Sequence, residues 1–137
     1  MLIEHNANQK TQRLLSSGAD CSTRVWNPAT GTCSLLLHPA FVYSSRFRDT
    51  NCVATACFDH VIRIWDISNE TAKLMGCYSE HTVSINCICW DFNGHLYSGD
   101  AGGFVFIWNT INDSLQLNKY FFFLILRLVV KCHSKSL

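Results

Sequence analysis

The stretch SSGADCSTRVWN, from Ser16 to Asn27, returns in outline as TACFDHVIRIWD, from Thr55 to Asp66, and again as SGDAGGFVFIWN, from Ser98 to Asn109. In each, a hydroxyl residue stands ten positions before a tryptophan: Ser16 before Trp26, Thr55 before Trp65, Ser98 before Trp108. Turn-forming residues fill the first half of the interval. The second half alternates as a strand with one buried face does. The tryptophans lie 39 and 43 residues apart, so one supersecondary unit is used three times. Units of this length stack on one another and work mainly through the surfaces the stack presents.

The histidines share the same periodicity. His38 lies 27 residues before Trp65 and His81 lies 27 before Trp108. Counting on from each histidine, Val42 and Ile85 take the fourth place and Phe47 and Trp90 the ninth, inside short β-compatible runs. A slip of one residue turns every side chain of a strand to the opposite face. The agreement of register therefore marks structural equivalence.

These features resemble the WD40 repeat family, whose blades repeat every ~40 to 45 residues. The resemblance implies an all-β fold of WD40 β-propeller blades, here about three repeats of an incomplete propeller. It also implies a hydrogen-bond network joining a loop histidine, a Ser/Thr, a turn aspartate and the tryptophan of each blade. The second repeat supplies His38, Thr55, Asp59 and Trp65. Imidazole donates at one nitrogen and accepts at the other, carboxylate only accepts and indole only donates, so such a set can satisfy itself inside an apolar blade. The third repeat keeps His81, Ser98 and Trp108 but has Gly102 at the aspartate place, with Asp100 two residues out of register. The first keeps Ser16, Asp20 and Trp26, and its histidine would fall before Met1.

Within this family, LLLHPAFVYSSRF (Leu35 to Phe47), CFDHVIRIW (Cys57 to Trp65) and the run from Ser84 to Asp113 resemble the repeats of jouberin-like proteins. His-Pro-x-Phe-Val-Tyr at His38 to Tyr43 and Tyr-Ser-Gly-Asp at Tyr97 to Asp100 carry that resemblance. It covers about residues 35 to 113 and implies a non-enzymatic scaffold of the ciliary transition zone and basal body, also found at cell junctions.

Three segments are expected: polar residues 1–13, WD40 repeats over 14–118 with a truncated first blade, and an atypical apolar tail over 119–137. Propellers close with roughly four to eight blades, so the remaining blades are expected in a longer chain, with a homo-oligomeric ring as the alternative. Asp113 to Leu117 can begin a fourth strand. The tail that follows reads either as a buried strand out of context or as non-native sequence. Its apolar run from Tyr120 to Leu126 is broken by Arg127 and falls short of the ~20 residues of a transmembrane helix. The polar start lacks the apolar core of a secretory signal. The eight cysteines, with no Cys-x-x-Cys pair, therefore read as free thiols of a reducing cytoplasm.

Net charge is +1 and no basic stripe appears, which disfavours nucleic acid as a partner. No phosphate-binding glycine loop occurs, the repeated histidines read as structural, and no cofactor, metal ligand set or catalytic group is expected. The expected partners are other proteins. Propellers commonly bind through loops beside the histidine and the turn aspartate, which singles out Phe41, Phe58 and His60. Packing between blades is the competing role for Phe41, and Phe58 is open to either. Arg24 and Arg63, each two before a tryptophan, read as a solvated strand position. The alternative to a ciliary scaffold is a generic adaptor, such as a ubiquitin-ligase substrate receptor or a trafficking component.

Overall fold

Each repeated stretch folds as two antiparallel strands joined by a tight turn, and the turn has one demanding position. The residue five before each tryptophan adopts positive φ: Cys21 at 60°, His60 at 68° and Gly103 at 87°. Only glycine takes that conformation without steric cost, so Cys21 and His60 are held in it by the strands on either side. A computed structural model describes residues 12–110 in full and the backbone of two flanking strands, Leu2–His5 and Asn118–Phe121.

The strands are β1 (Leu2–His5), β2 (Leu14–Ser17), β3 (Ser22–Asn27), β4 (Thr32–Leu37), β5 (Val42–Phe47), β6 (Cys52–Cys57), β7 (Ile62–Asp66), β8 (Lys73–Tyr78), β9 (Ile85–Trp90), β10 (His95–Asp100), β11 (Phe104–Asn109) and β12 (Asn118–Phe121). They form three four-stranded antiparallel sheets, each taken in chain order: β1 to β4, β5 to β8, and β9 to β12. The described residues contain no helix. The architecture is all-β, three successive blades of propeller type.

Two boundaries differ from the sequence expectation. Leu2–His5, inside the segment read as a polar N-terminal stretch, pairs with β2 as the first strand of its blade. The last strand of the third blade is Asn118–Phe121, paired with β11, whereas Asp113 to Leu117 lie outside the described residues, as does the tail from residue 122 onward.

The second blade is covered on both faces, and the alternation of β6 shows how. All six of its residues are buried. Val53 joins Leu15, Val25 and Leu36 of the first blade, together with Trp65 and Ile67. Cys52, Ala54 and Ala56 turn the other way, with Ile62 and Ile64, against Ile85, Ile88, Leu96, Phe106 and Trp108 of the third blade. Small residues on β6 thus face the rings of Phe106 and Trp108 in the third blade. Phe106 and Trp108 stack with their ring centroids 5.7 Å apart. The seams are also bridged by hydroxyls. Ser17 Oγ lies 2.6 Å from Ser45 Oγ, and the Ile88 amide donates to Ser44 Oγ at 3.4 Å.

Burial of the tryptophans follows their place in the stack. Trp108 is 1% exposed and Trp65 9%, each lying against the preceding blade, whereas Trp26 is 36% exposed. His38 and His81 occupy the loops that leave the outer strand of one blade for the inner strand of the next, β4 to β5 and β8 to β9. The His38 ring bonds residues of two consecutive blades, Leu36 and Thr55, whereas both bonds of the His81 ring go to the third blade, Ser98 and Asp100.

Candidate functional site

In the second blade, His38 Nε2 is 2.9 Å from Thr55 Oγ1, which accepts the Trp65 indole N–H at 3.0 Å. His38 Nδ1 lies 3.0 Å from the Leu36 carbonyl. A carbonyl only accepts, so Nδ1 carries the proton and Nε2 takes the Thr55 hydroxyl proton. Burial pushes the His38 pKa down to about 4, which keeps the ring neutral at ordinary pH.

The third blade carries the same chain of bonds and extends it by one. Trp108 donates to Ser98 Oγ at 2.8 Å, Ser98 Oγ is 2.6 Å from His81 Nε2, and His81 Nδ1 is 2.8 Å from Asp100 Oδ2. Asp100 Oδ1 also accepts the amides of Gly102 and Phe104, both at 3.0 Å. Serine, histidine and aspartate stand here in the order of a hydrolytic triad. All three are buried, and the serine oxygen already accepts the indole proton, so the group has no access to a substrate. Its bonds join the loop residue His81 to Ser98 and Asp100 of β10 and, through Ser98, to Trp108 of β11.

The aspartates therefore behave differently from the sequence expectation. Asp59 does not reach His38; it makes a two-point ion pair with Arg63, Nη2 to Oδ2 at 2.6 Å and Nη1 to Oδ1 at 3.1 Å, and accepts the Val61 amide. Asp20 likewise binds Arg24 Nη1 at 2.6 Å and both the amide and the hydroxyl of Ser22. In the first blade Trp26 donates to Ser16 Oγ at 2.8 Å, the only part of the network that blade's described residues form. The two arginines are thus partners of the turn aspartates, not simply solvated positions. In the third blade the arginine place holds Phe106, whose ring lies 4.2 Å from that of His81, so a turn aspartate would have no cation. The carboxylate sits instead at the end of β10, buried, where it meets the histidine. Gly102 leaves it room, since a Cβ there would approach Asp100 Oδ1 to 3.3 Å.

Beside the second network lies an exposed aromatic patch. Phe41 and Phe58 are each 47% exposed and Tyr43 is 45% exposed. Their rings gather on Phe58: Phe41 at 6.2 Å, Tyr43 at 6.0 Å and the half-buried His60 at 6.4 Å between centroids. The Phe58 amide donates to the Phe41 carbonyl at 2.8 Å, which joins the histidine loop to the β6–β7 turn. Phe41, for which packing between blades was the competing role, is at the surface. Tyr43 was missed by sequence reasoning. It occupies a bulge, since Val42 pairs with Cys57 and Ser44 with Ala56, and a bulge re-aims the side chain it carries. The matching irregularity in the third blade falls at Asn86, between Ile85 and Cys87.

Other chemistry is sparse. The seven described cysteines are free, and burial raises the thiol of Cys52 to about 11 and that of Cys57 above its ordinary value, so both stay protonated. No three His, Cys, Asp or Glu side chains among the described residues converge as a metal-ligand set. No helix among the described residues is long and apolar enough to cross a membrane.

The family model for the WD domain, G-beta repeat, matches residues 32–66 and 72–109. Those bounds run from the outer strand of one blade through three strands of the next, the same offset that the two histidine loops create. The chain belongs to the WD40-repeat family. It is similar to jouberin of Rattus norvegicus, 39% identical over 71% of this chain and 10% of the relative, and to jouberin of Mus musculus, 38% identical over 73% and 11%. It is also similar to the ciliary WD repeat-containing protein ctxp80 of Euplotoides octocarinatus, 26% identical over 77% of this chain and 14% of the relative. The chain spans about a tenth of the length of the jouberins it matches. WD40 repeats and jouberin similarity indicate a protein-interaction role and a non-enzymatic scaffold family.

Two outcomes are expected of these networks. Asp100→Ala strands the His81 N–H and two backbone amides, and should lower unfolding free energy in urea by about 3 kcal/mol. Asp59→Ala, which breaks a partly solvated ion pair, should cost about 1 kcal/mol or less. Equal losses would refute the assignment of Asp100 to the network. The second outcome concerns pH. His38 and His81 bind protons less readily folded than unfolded, so stability is full above the ordinary histidine pKa of 6.5 and is lost as pH falls below it, down to about 4 in the case of His38. The lowered carboxylate pKa values of Asp20, Asp59, Asp66 and Asp91 begin to act only from about pH 5 downward, which leaves the upper part of the window to the histidines. A urea midpoint that stays flat from pH 6.5 to 4 would contradict this.

Proposed function

We propose that this chain is part of a ciliary protein-interaction scaffold that engages a partner through the patch of Phe41, Tyr43, Phe58 and His60. The observation that carries the reading is the convergence of two half-exposed rings, Phe41 and Tyr43, on the half-exposed Phe58, on the turn side of the second blade. A planar ring held by strand and turn backbone gives contact area at little entropic cost, and such anchors dominate protein interfaces. Their apolar faces suit an extended segment that brings aliphatic or aromatic side chains.

The ciliary part of the proposal rests on two supports: similarity to the jouberins, whose resemblance implies the transition zone and basal body, and similarity to a relative named as a ciliary WD repeat protein. A second reading, a generic adaptor subunit, is favoured by the target of rapamycin complex subunit wat1 of Schizosaccharomyces pombe, 28% identical over 80% of this chain and 36% of the relative.

The test is to express the tagged chain and its Phe58→Ala variant in ciliated cells, and to compare recruitment to the basal body with thermal unfolding of the purified proteins. The expected result is recruitment of the wild type, about tenfold weaker for the variant, with an unchanged midpoint. Equal recruitment of the two would refute the patch. Absence of both from the cilium base would favour the adaptor reading.

A further inference from the structure

Each blade ends in an outer strand whose far edge pairs with no strand among the described residues, and the three outer strands, β4, β8 and β12, do not guard that edge alike. β8 opens with Lys73, and its pairing with β7 slips between Ile64 and Trp65. β12 carries Lys119. Charges and bulges of this kind keep an edge from pairing with another chain. By contrast β4, with the sequence TCSLLL, has no charge, no proline and an unbroken register with β3 along its whole length.

The alternation of the ladder decides which backbone groups of β4 are free. The His38 amide donates to the Cys21 carbonyl at 3.0 Å, one step in register beyond the pair of Ser22 and Leu37. Bonded pairs recur at every second residue of an antiparallel ladder, so Ser34 and Leu36 bond to β3, and the N–H and C=O of Cys33, Leu35 and Leu37 point to the open edge. The side chains of these three residues share the outer face. Leu35 is 49% and Leu37 68% exposed, and Cys33 is exposed as well. The strand is fixed from behind, where Leu36 is buried in the core shared with the second blade and the Ser34 hydroxyl donates to the Glu70 carbonyl at 2.8 Å. Arg24, which stands beside Leu35 on β3, is already paired with Asp20.

We propose that β4 pairs antiparallel with β4 of a second copy of this chain, joining two four-stranded blades into one continuous sheet. A twofold axis at Leu35 sets Leu35 of one copy opposite Leu35 of the other and Cys33 opposite Leu37, each as a bonded pair, for about six main-chain hydrogen bonds. The strand is its own complement. The same odd-numbered groups are free on both sides, apolar side chains meet in every row of the outer face, and an uncharged strand brings no like charges together. None of the residues of the aromatic patch lies on β4, so this pairing stands or falls apart from the reading given for the patch.

The experiment is sedimentation equilibrium of the full chain and of its Leu35→Lys and Leu35→Glu variants, each alone and the two variants mixed in equal parts. The wild type should associate reversibly to a dimer. Each variant alone should associate about tenfold more weakly, because like charges then face each other across the axis, and the mixture should regain the loss because opposite charges do. Amide hydrogen exchange gives a second readout on the wild type: protection at Cys33, Leu35 and Leu37 should rise with protein concentration. If a variant loses its folded spectrum, that readout decides alone. A wild type that stays monomeric at about 0.5 mM, association that both variants leave unchanged, a mixture no tighter than its components, or protection at those three amides that does not change with concentration would overturn the proposal.

Discussion

The fold depends on one chain of hydrogen bonds, indole to hydroxyl to imidazole, repeated in the second and third blades and anchored in the loop through which each is entered. Its members are matched by chemistry. Indole can only donate, a hydroxyl does both at once, and a neutral imidazole passes the chain on to a carbonyl in one blade and to a carboxylate in the other. Among the described residues every buried side-chain nitrogen or oxygen has a partner, so the polar groups in these seams are held without the penalty of an orphaned donor. Because each histidine lies in the loop between blades, the bond that orders a blade's tryptophan also fixes how that same blade is entered.

Packing and function follow from that constraint. The bond from Trp108 to Ser98 holds the indole against the previous blade, where the alanines of β6 leave space for it. The same strand ends in the β6–β7 turn that carries Phe58, and the loop that carries His38 also carries Phe41. The rings of the patch are therefore positioned by the two segments that the second network joins.

Much of this was legible in the sequence. Tryptophan and hydroxyl residues ten apart, and histidines 27 before the tryptophan, fix the blades and three of the four network positions, because these distances are set by strand length and turn type. Which aspartate completes the network was not legible. Asp59 occupies the usual place yet binds Arg63, and Asp100 occupies an unusual one yet closes the bond with His81. The choice depends on whether position 63 or its counterpart 106 bears a cation, a contact between strands that spacing alone does not reveal. Tyr43 was hidden for a related reason: alternation assumes an unbroken ladder, and the bulge at Val42 and Ser44 breaks it. Leu2–His5 and Asn118–Phe121 carry none of the repeat's marker residues. They are strands because β2 and β11 offer edges to pair with.

The central claim is that both loop histidines are neutral, protonated on Nδ1 and accepting a hydroxyl proton at Nε2. Two-bond ¹H–¹⁵N correlation spectra of the labelled protein at neutral pH read this directly, since protonated and unprotonated ring nitrogens resonate far apart. The account predicts the Nδ1–H tautomer for His38 and His81 alike. An Nε2–H tautomer or an imidazolium at either residue would contradict it.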